Sequence, residues 1–153
     1  MKILNKFLKK EKKISYKKAD ILEREDFDLE FSDINLEVFI RNIIEKKNGD
    51  IKFSDVYNID RLDFEGWPLI NLKGIENLIN LKYLNLYGSK MNNISYLSNL
   101  KKLESLNISW SDTVSEIRSL KNLKSLKNFE AYYSPNIRDF SPLEDMIQLE
   151  ILD

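Results

Sequence analysis

The sequence contains no cysteine and no histidine. The first absence excludes disulfides and thiolate chemistry, and it fits a reducing compartment. The two absences together remove most zinc sites, Cys–His pairs and Ser–His–Asp triads. Glycine is scarce, with four residues at 49, 66, 74 and 88, and these form no GxGxxG or GxxxxGK(S/T) loop. A phosphate cradled by such a loop is therefore excluded, and no cofactor is expected. No apolar run approaches the ~20 residues of a membrane span. The N-terminus, MKILNKFLKKEKKISYKK, is basic, but Asn5, Lys6, Lys9 and Lys10 interrupt the apolar core that a secretory signal needs. The expected location is cytoplasmic. A formal net charge of -1 over 153 residues gives the chain as a whole no polyanion-binding character. Its length fits one domain, and 42% hydrophobic residues are enough to build a core.

What the sequence does have is a repeat. Registers open at Ile59, Leu81, Leu103, Leu126 and Leu149, in steps of 22, 22, 23 and 23 residues. Each full register places apolar residues three and then two positions on: Ile59/Leu62/Phe64, Leu81/Leu84/Leu86, Leu103/Leu106/Ile108 and Leu126/Phe129/Ala131. Each unit closes on apolar residues three apart, as in Ile94/Leu97/Leu100 and Ile117/Leu120/Leu123. A single amphipathic helix could not carry this pattern through Gly66, Pro68, Pro135 and Pro142. The alternating half suits a short strand, and the half with a three-residue period suits a 3-10 turn. One such unit cannot bury its own apolar edge, whereas stacked units share a continuous core and a parallel sheet. The expected fold is α/β: a leucine-rich-repeat solenoid with a concave parallel sheet, short helical or 3-10 convex segments and an N-terminal helical cap.

The phrase NIRDFSPLEDMIQL at 136–149, and more loosely MNNISYLSNLKKL at 91–103, resembles the repeats of bacterial internalins. The stretch from Phe31 to Phe64 resembles the helical cap that precedes those repeats. The resemblance implies the solenoid fold and a protein partner. It departs from the family at the ninth repeat position, where internalins usually place asparagine and this chain has Trp67, Ser89, Ser111 and Ser134.

Three regions follow: a charged arm at 1–30, a helical cap at 31–58, and four repeats with a terminal strand at 59–153. Leu36, Phe39, Ile40, Ile43 and Ile44 predict an amphipathic helix over 35–47, capped by Asp33 or Asn35, aided by Lys46 and Lys47 at its end, and stopped near Gly49. Lysines at 2, 6, 9, 10, 12, 13, 17 and 18 precede a strongly acidic stretch at 20–37. The arm reads mainly as solvated; its alternatives are an anionic membrane, nucleic acid or a partner protein. The last register has no cap, which leaves a homodimer through that end as one outcome.

In the strand pattern the third, fifth, seventh and eighth positions face outward. They bring Tyr83, Tyr87, Trp110, Tyr132 and Tyr133 into one expected aromatic cluster, ringed by Asp63, Glu65, Glu130 and Asp153. Exposed aromatics with no packing duty are the material of interface hot spots. The expected function is non-enzymatic binding of a protein partner with a basic patch, as an inhibitor, immunity or anti-defence factor, or adaptor. A carbohydrate binder stacking on the rings is an alternative. The carboxylates disfavour nucleic acid on this face. Asp63 and Glu65 lie two apart on one strand, but an open sheet gives them no cleft in which to act as a catalytic pair.

Overall fold

The structure is a computed structural model that describes residues 26–152; the basic arm and Asp153 lie outside the described residues. Five parallel strands form one sheet in chain order: β3 (Arg61–Asp63), β4 (Tyr83–Asn85), β5 (Ser105–Asn107), β6 (Asn128–Glu130) and β7 (Ile151–Leu152). Two further strands, β1 (Asp28–Leu29) and β2 (Ile51–Lys52), pair antiparallel in a separate ribbon. Among the described residues two helices, α1 (Ile34–Ile43) and α2 (Phe53–Val56), lie before the repeats.

The register follows the leucines. Leu62, Leu84, Leu106 and Phe129 stand opposite one another across β3 to β6, and none exceeds 1% exposure. The return half of each unit closes in a 3-10 turn, at Ile75–Asn77, Ser95–Asn99, Arg118–Asn122 and Ser141–Leu143. Each turn buries one aliphatic residue, respectively Ile75, Leu97, Leu120 and Leu143. Two apolar rows thus meet between sheet and turns and form one core, the leucine-rich-repeat solenoid read from the sequence.

The alternating pattern predicts strands over 83–87, 105–109 and 128–132, and the observed strands are shorter, three residues each. The backbone ladder nevertheless runs past their ends. Leu86 N–H donates to Asn107 O at 2.8 Å, Ile108 N–H to Glu130 O at 2.8 Å, and Trp110 N–H to Tyr132 O at 2.7 Å. Extended geometry stops because the chain turns at the seventh and eighth positions, where Ser89 N–H reaches back to Leu86 O at 3.1 Å.

Helix α1 also ends earlier than expected, and not at Gly49. Glu45 adopts φ 55°, Lys46 N–H bonds Arg41 O at 3.0 Å, and Glu45 N–H bonds Asn42 O at 3.4 Å. Those paired bonds and the left-handed residue make a Schellman stop. Lys46 therefore leaves the helix end and pairs with Asp55 at 2.7 Å. On the helix, Leu36 and Ile40 are fully buried. The Phe39 ring lies 4.2 Å from Phe64 and edge-on to Trp67 at 4.9 Å, so α1 packs on the first repeat.

Asp33 ties that packing together. It caps α1 through Asn35 N–H at 2.8 Å, and its other oxygen accepts Ile70 N–H at 2.7 Å and Asn71 N–H at 3.1 Å. The residue is only 4% exposed. Alongside, Gly74 at φ 107° lets the 30–33 segment pass, since a Cβ there would stand 2.4 Å from Phe31.

Two stability outcomes follow. Leu106→Ala should cost about 2–5 kcal/mol in urea unfolding, as core leucine truncations do; a cost below ~0.5 kcal/mol would mean that Leu106 does not hold the core register. Asp33→Ala should cost about 2–4 kcal/mol, combining a lost helix cap with stranded backbone donors. Hydrogen exchange at Ile70 and Asn71 should accelerate in that variant, and unchanged protection there would contradict the assigned bonds.

Candidate binding surface

Every full repeat turns through the left-handed region at its eighth position. Gly66 has φ 78° and Gly88 φ 71°, and in the next two repeats Trp110 has φ 59° and Tyr133 φ 51°. Glycine adopts this region without steric penalty, whereas a residue with a Cβ pays roughly 1–2 kcal/mol there. The chain thus places two large aromatics at the positions where the fold favours glycine. Trp110 is 48% exposed and Tyr133 60%, so neither gains core burial in return.

These two residues form the middle of a continuous row. Tyr87 lies 6.4 Å from Trp110, Trp110 lies 4.7 Å from Tyr133, and Tyr133 lies 4.5 Å from Tyr132, between ring centroids. Tyr87 and Tyr132 are 36% and 55% exposed. Tyr83, expected in the same cluster, makes none of these ring contacts. It is half-buried and lies beneath the Arg61 guanidinium, whose carbon is 3.5 Å from the ring centroid. The reason is spacing: Tyr83 and Tyr87 are four residues apart along the strand direction, ~13 Å in extended chain.

The acidic ring is more engaged than its charge alone conveys. Asp63 Oδ1 accepts from Asn85 Nδ2 at 2.9 Å and from Glu65 N–H at 3.3 Å, and its other oxygen pairs with Arg61 at 3.5 Å. Glu130 Oε2 accepts from Asn107 Nδ2 at 2.8 Å. Glu65 is exposed. On the third, fifth and seventh positions of β3 to β6 and the turns that follow them, Arg61 is the one cation beside three carboxylates.

The residues that hold the row were not singled out from sequence. Asn85 Oδ1 accepts Tyr87 N–H at 3.0 Å, and Asn107 Oδ1 accepts Ser109 N–H at 2.8 Å. Ser109 Oγ accepts Tyr132 N–H at 3.2 Å. Each amide therefore satisfies a turn donor with its oxygen and holds a neighbouring carboxylate with its nitrogen. The sequence signal was present: asparagine at the fifth position of two consecutive repeats, flanked by an acid at the same position on either side. At the ninth position Ser134 Oγ donates to Ile108 O at 3.0 Å and accepts Ser111 N–H at 3.4 Å. The hydroxyls of Ser89 and Ser111 are buried without a partner among the described residues.

No protein-family model matches the chain, and no curated protein matches it. Solved structures do. Internalin C2 from Listeria monocytogenes superposes with a TM-score of 0.73 at 24% identity, covering 78% of this chain and 53% of that one. A second Listeria monocytogenes internalin, inlF, gives a TM-score of 0.60 at 26% identity, covering 79% and 42% respectively. The chain spans about half the length of these internalins or less. It has the leucine-rich-repeat fold. Its repeats are internalin-like, as the sequence resemblance had implied.

The backbone at position 110 gives a direct test of the strain. Trp110→Gly should be more stable than Trp110→Ala by about 1 kcal/mol, because alanine keeps the left-handed penalty and glycine removes it. Tyr133 should show the same order. Alanine equal to or above glycine in chemical denaturation would mean that the turn is not left-handed in solution.

Proposed function

We propose that this chain is a non-enzymatic protein-binding module whose partner docks on the sheet face along the row Tyr87, Trp110, Tyr133 and Tyr132. One observation carries the reading. Two exposed aromatics occupy backbone positions that the first two repeats give to glycine. Strain of that kind persists where a function holds it in place, and folding has no use for it here. Exposed Trp and Tyr are also the side chains enriched in interface hot spots.

The partner is a protein with a basic patch at the contact. Three carboxylates against one guanidinium on this face favour a positive counterpart. The likeness to internalins supports a protein-interaction role in general terms. Among the described residues no group of three or more His, Cys, Asp or Glu is placed to hold a metal ion, and no helix is long and apolar enough to cross a membrane.

Affinity capture with the full chain and with Trp110→Gly side by side tests this. The glycine variant should remain folded and should bind the recovered protein at least ~2 kcal/mol more weakly, about thirtyfold in Kd. Glu65→Lys should slow association with the same protein, most at low salt. A folded Trp110→Gly that binds with parental affinity would remove the aromatic row from consideration as the site.

A further inference from the structure

The row has a chemical preference that its composition alone does not fix. We infer that the corner formed by Trp110, Tyr133 and Tyr132 receives an arginine side chain of the partner protein, with Glu130 as its counter-charge. This rests on the protein-binding role proposed above and specifies what the face recognises.

Three observations support it. First, the face already accepts a guanidinium: Arg61 lies 3.5 Å over the Tyr83 ring, with Asp63 as its carboxylate partner at 3.5 Å. An aromatic residue on this sheet beside an acid at the fifth position is thus an arginine seat within the molecule itself. Tyr132 and Glu130 bring an aromatic and a fifth-position acid together again, here on one strand and the turn that follows it, and Glu130 forms no ion pair among the described residues. Glu130 ends β6 and sits two residues before Tyr132, where the strand passes into the turn, within ~7 Å even at full extension. Its Oε2 is held by Asn107, and its Oε1 accepts no hydrogen bond from the described residues.

Second, the ring geometry suits a compact cation. Trp110 and Tyr133 are 4.7 Å apart and tilted by 38°, and Tyr132 stands edge-on to Tyr133 at 78°. A guanidinium above the shared outward side of Trp110 and Tyr133 lies within the ~6 Å reach of both rings. An extended sugar chain stacked on all three rings at once would need them nearer to coplanar than 38° and 78°. Third, the carboxylate excess on the face opposes anions and favours a cation. Arginine fits better than lysine because its planar guanidinium is weakly hydrated, stacks on rings and can donate to Glu130 at the same time.

The test uses the full chain labelled with nitrogen-15 and a capped pentapeptide, Gly-Leu-Arg-Leu-Gly. Its twins carry lysine or citrulline in place of arginine. The chain has two tryptophans, so two indole N–H signals appear, and Trp110→Gly assigns them. Trp67, half-buried against Phe39, serves as the internal control. The arginine peptide should shift the Trp110 indole saturably, leave that of Trp67 in place, and bind about fivefold tighter than the citrulline peptide. Glu130→Gln should bring the two peptides to within about twofold of each other. Equal affinity of the arginine and citrulline peptides overturns the inference while leaving the row as a binding surface, which the capture experiment decides separately. No shift with the arginine peptide at millimolar concentration also overturns it. So does a shift produced by cellohexaose but not by that peptide, which would assign the row to carbohydrate. A Trp110 signal that moves with protein concentration alone would assign the corner to a second copy of the chain and sink the proposal.

Discussion

A unit of 22 or 23 residues cannot bury two apolar rows by itself, and the rest of this structure depends on how that is resolved. The rows are buried only when the next unit lies on them in the same register. Leu62, Leu84, Leu106 and Phe129 are therefore locked opposite one another. A one-residue slip would turn these side chains out of the core and bring polar neighbours in. The constraint acts on the inside of the sheet, but its consequence appears on the outside. Once the leucines are aligned, the third, fifth, seventh and eighth residues of every unit fall into fixed columns. An outward residue is then free of packing duty but not free in position.

The eighth column shows what such a constraint does to an outward position. The turn that ends each strand requires a left-handed residue, and glycine meets the requirement in the first two repeats at +78° and +71°. From the third repeat onward the chain places tryptophan and tyrosine there instead. Left-handed geometry swings the side chain away from the direction that an extended residue would give it. Trp110 and Tyr133 thus leave the alternation of the strand and come beside Tyr87 and Tyr132 of the preceding column. Four aromatics from three repeats meet because two of them occupy a conformation that aromatics rarely adopt. The amides of Asn85 and Asn107 and the hydroxyl of Ser109 fix the surrounding turns by satisfying backbone N–H groups that the sheet leaves over.

The solenoid was legible in the sequence because period and spacing are global signals, repeated four times and reinforced at each repetition. The ends of elements were not, because they depend on single contacts. Lys46 looked like a last-turn residue of α1 until Glu45 turned left-handed four residues before Gly49, an event that no helix propensity encodes. The aromatic columns were legible as columns, since strand spacing alone predicts neighbours across the sheet. Their division was not. Tyr83 and Tyr87 share a strand direction, yet distance along it and the Arg61 side chain assign Tyr83 to a separate pair. The acids were readable as charges, but the hydrogen bonds from Asn85 and Asn107 that occupy Asp63 and Glu130 depend on rotamers and cross-strand distance. Serine at the ninth position offers a weaker local bond than asparagine. Only Ser134 donates to a backbone carbonyl, and two buried hydroxyls find no partner among the described residues.

The columns also give the sheet face a direction. Toward β3 it is small and charged, with Arg61, Asp63, Glu65, Gly66 and Gly88. Toward β6 it is large and aromatic, with Trp110, Tyr132 and Tyr133. A ligand that crosses this face meets one kind of surface and then the other, so its two orientations are not equivalent. On the binding role proposed above, the polar end would contribute long-range attraction, which depends on net charge and is screened by salt. The aromatic end would contribute short-range contact, which depends on shape and on excluding water. Mutations at the two ends should therefore separate in kinetics: charge changes near β3 act on the rate of encounter, and truncations near β6 act on the lifetime of the complex. Stacking in register keeps both ends on one rigid sheet, so a partner that satisfies one end is held at a fixed distance from the other.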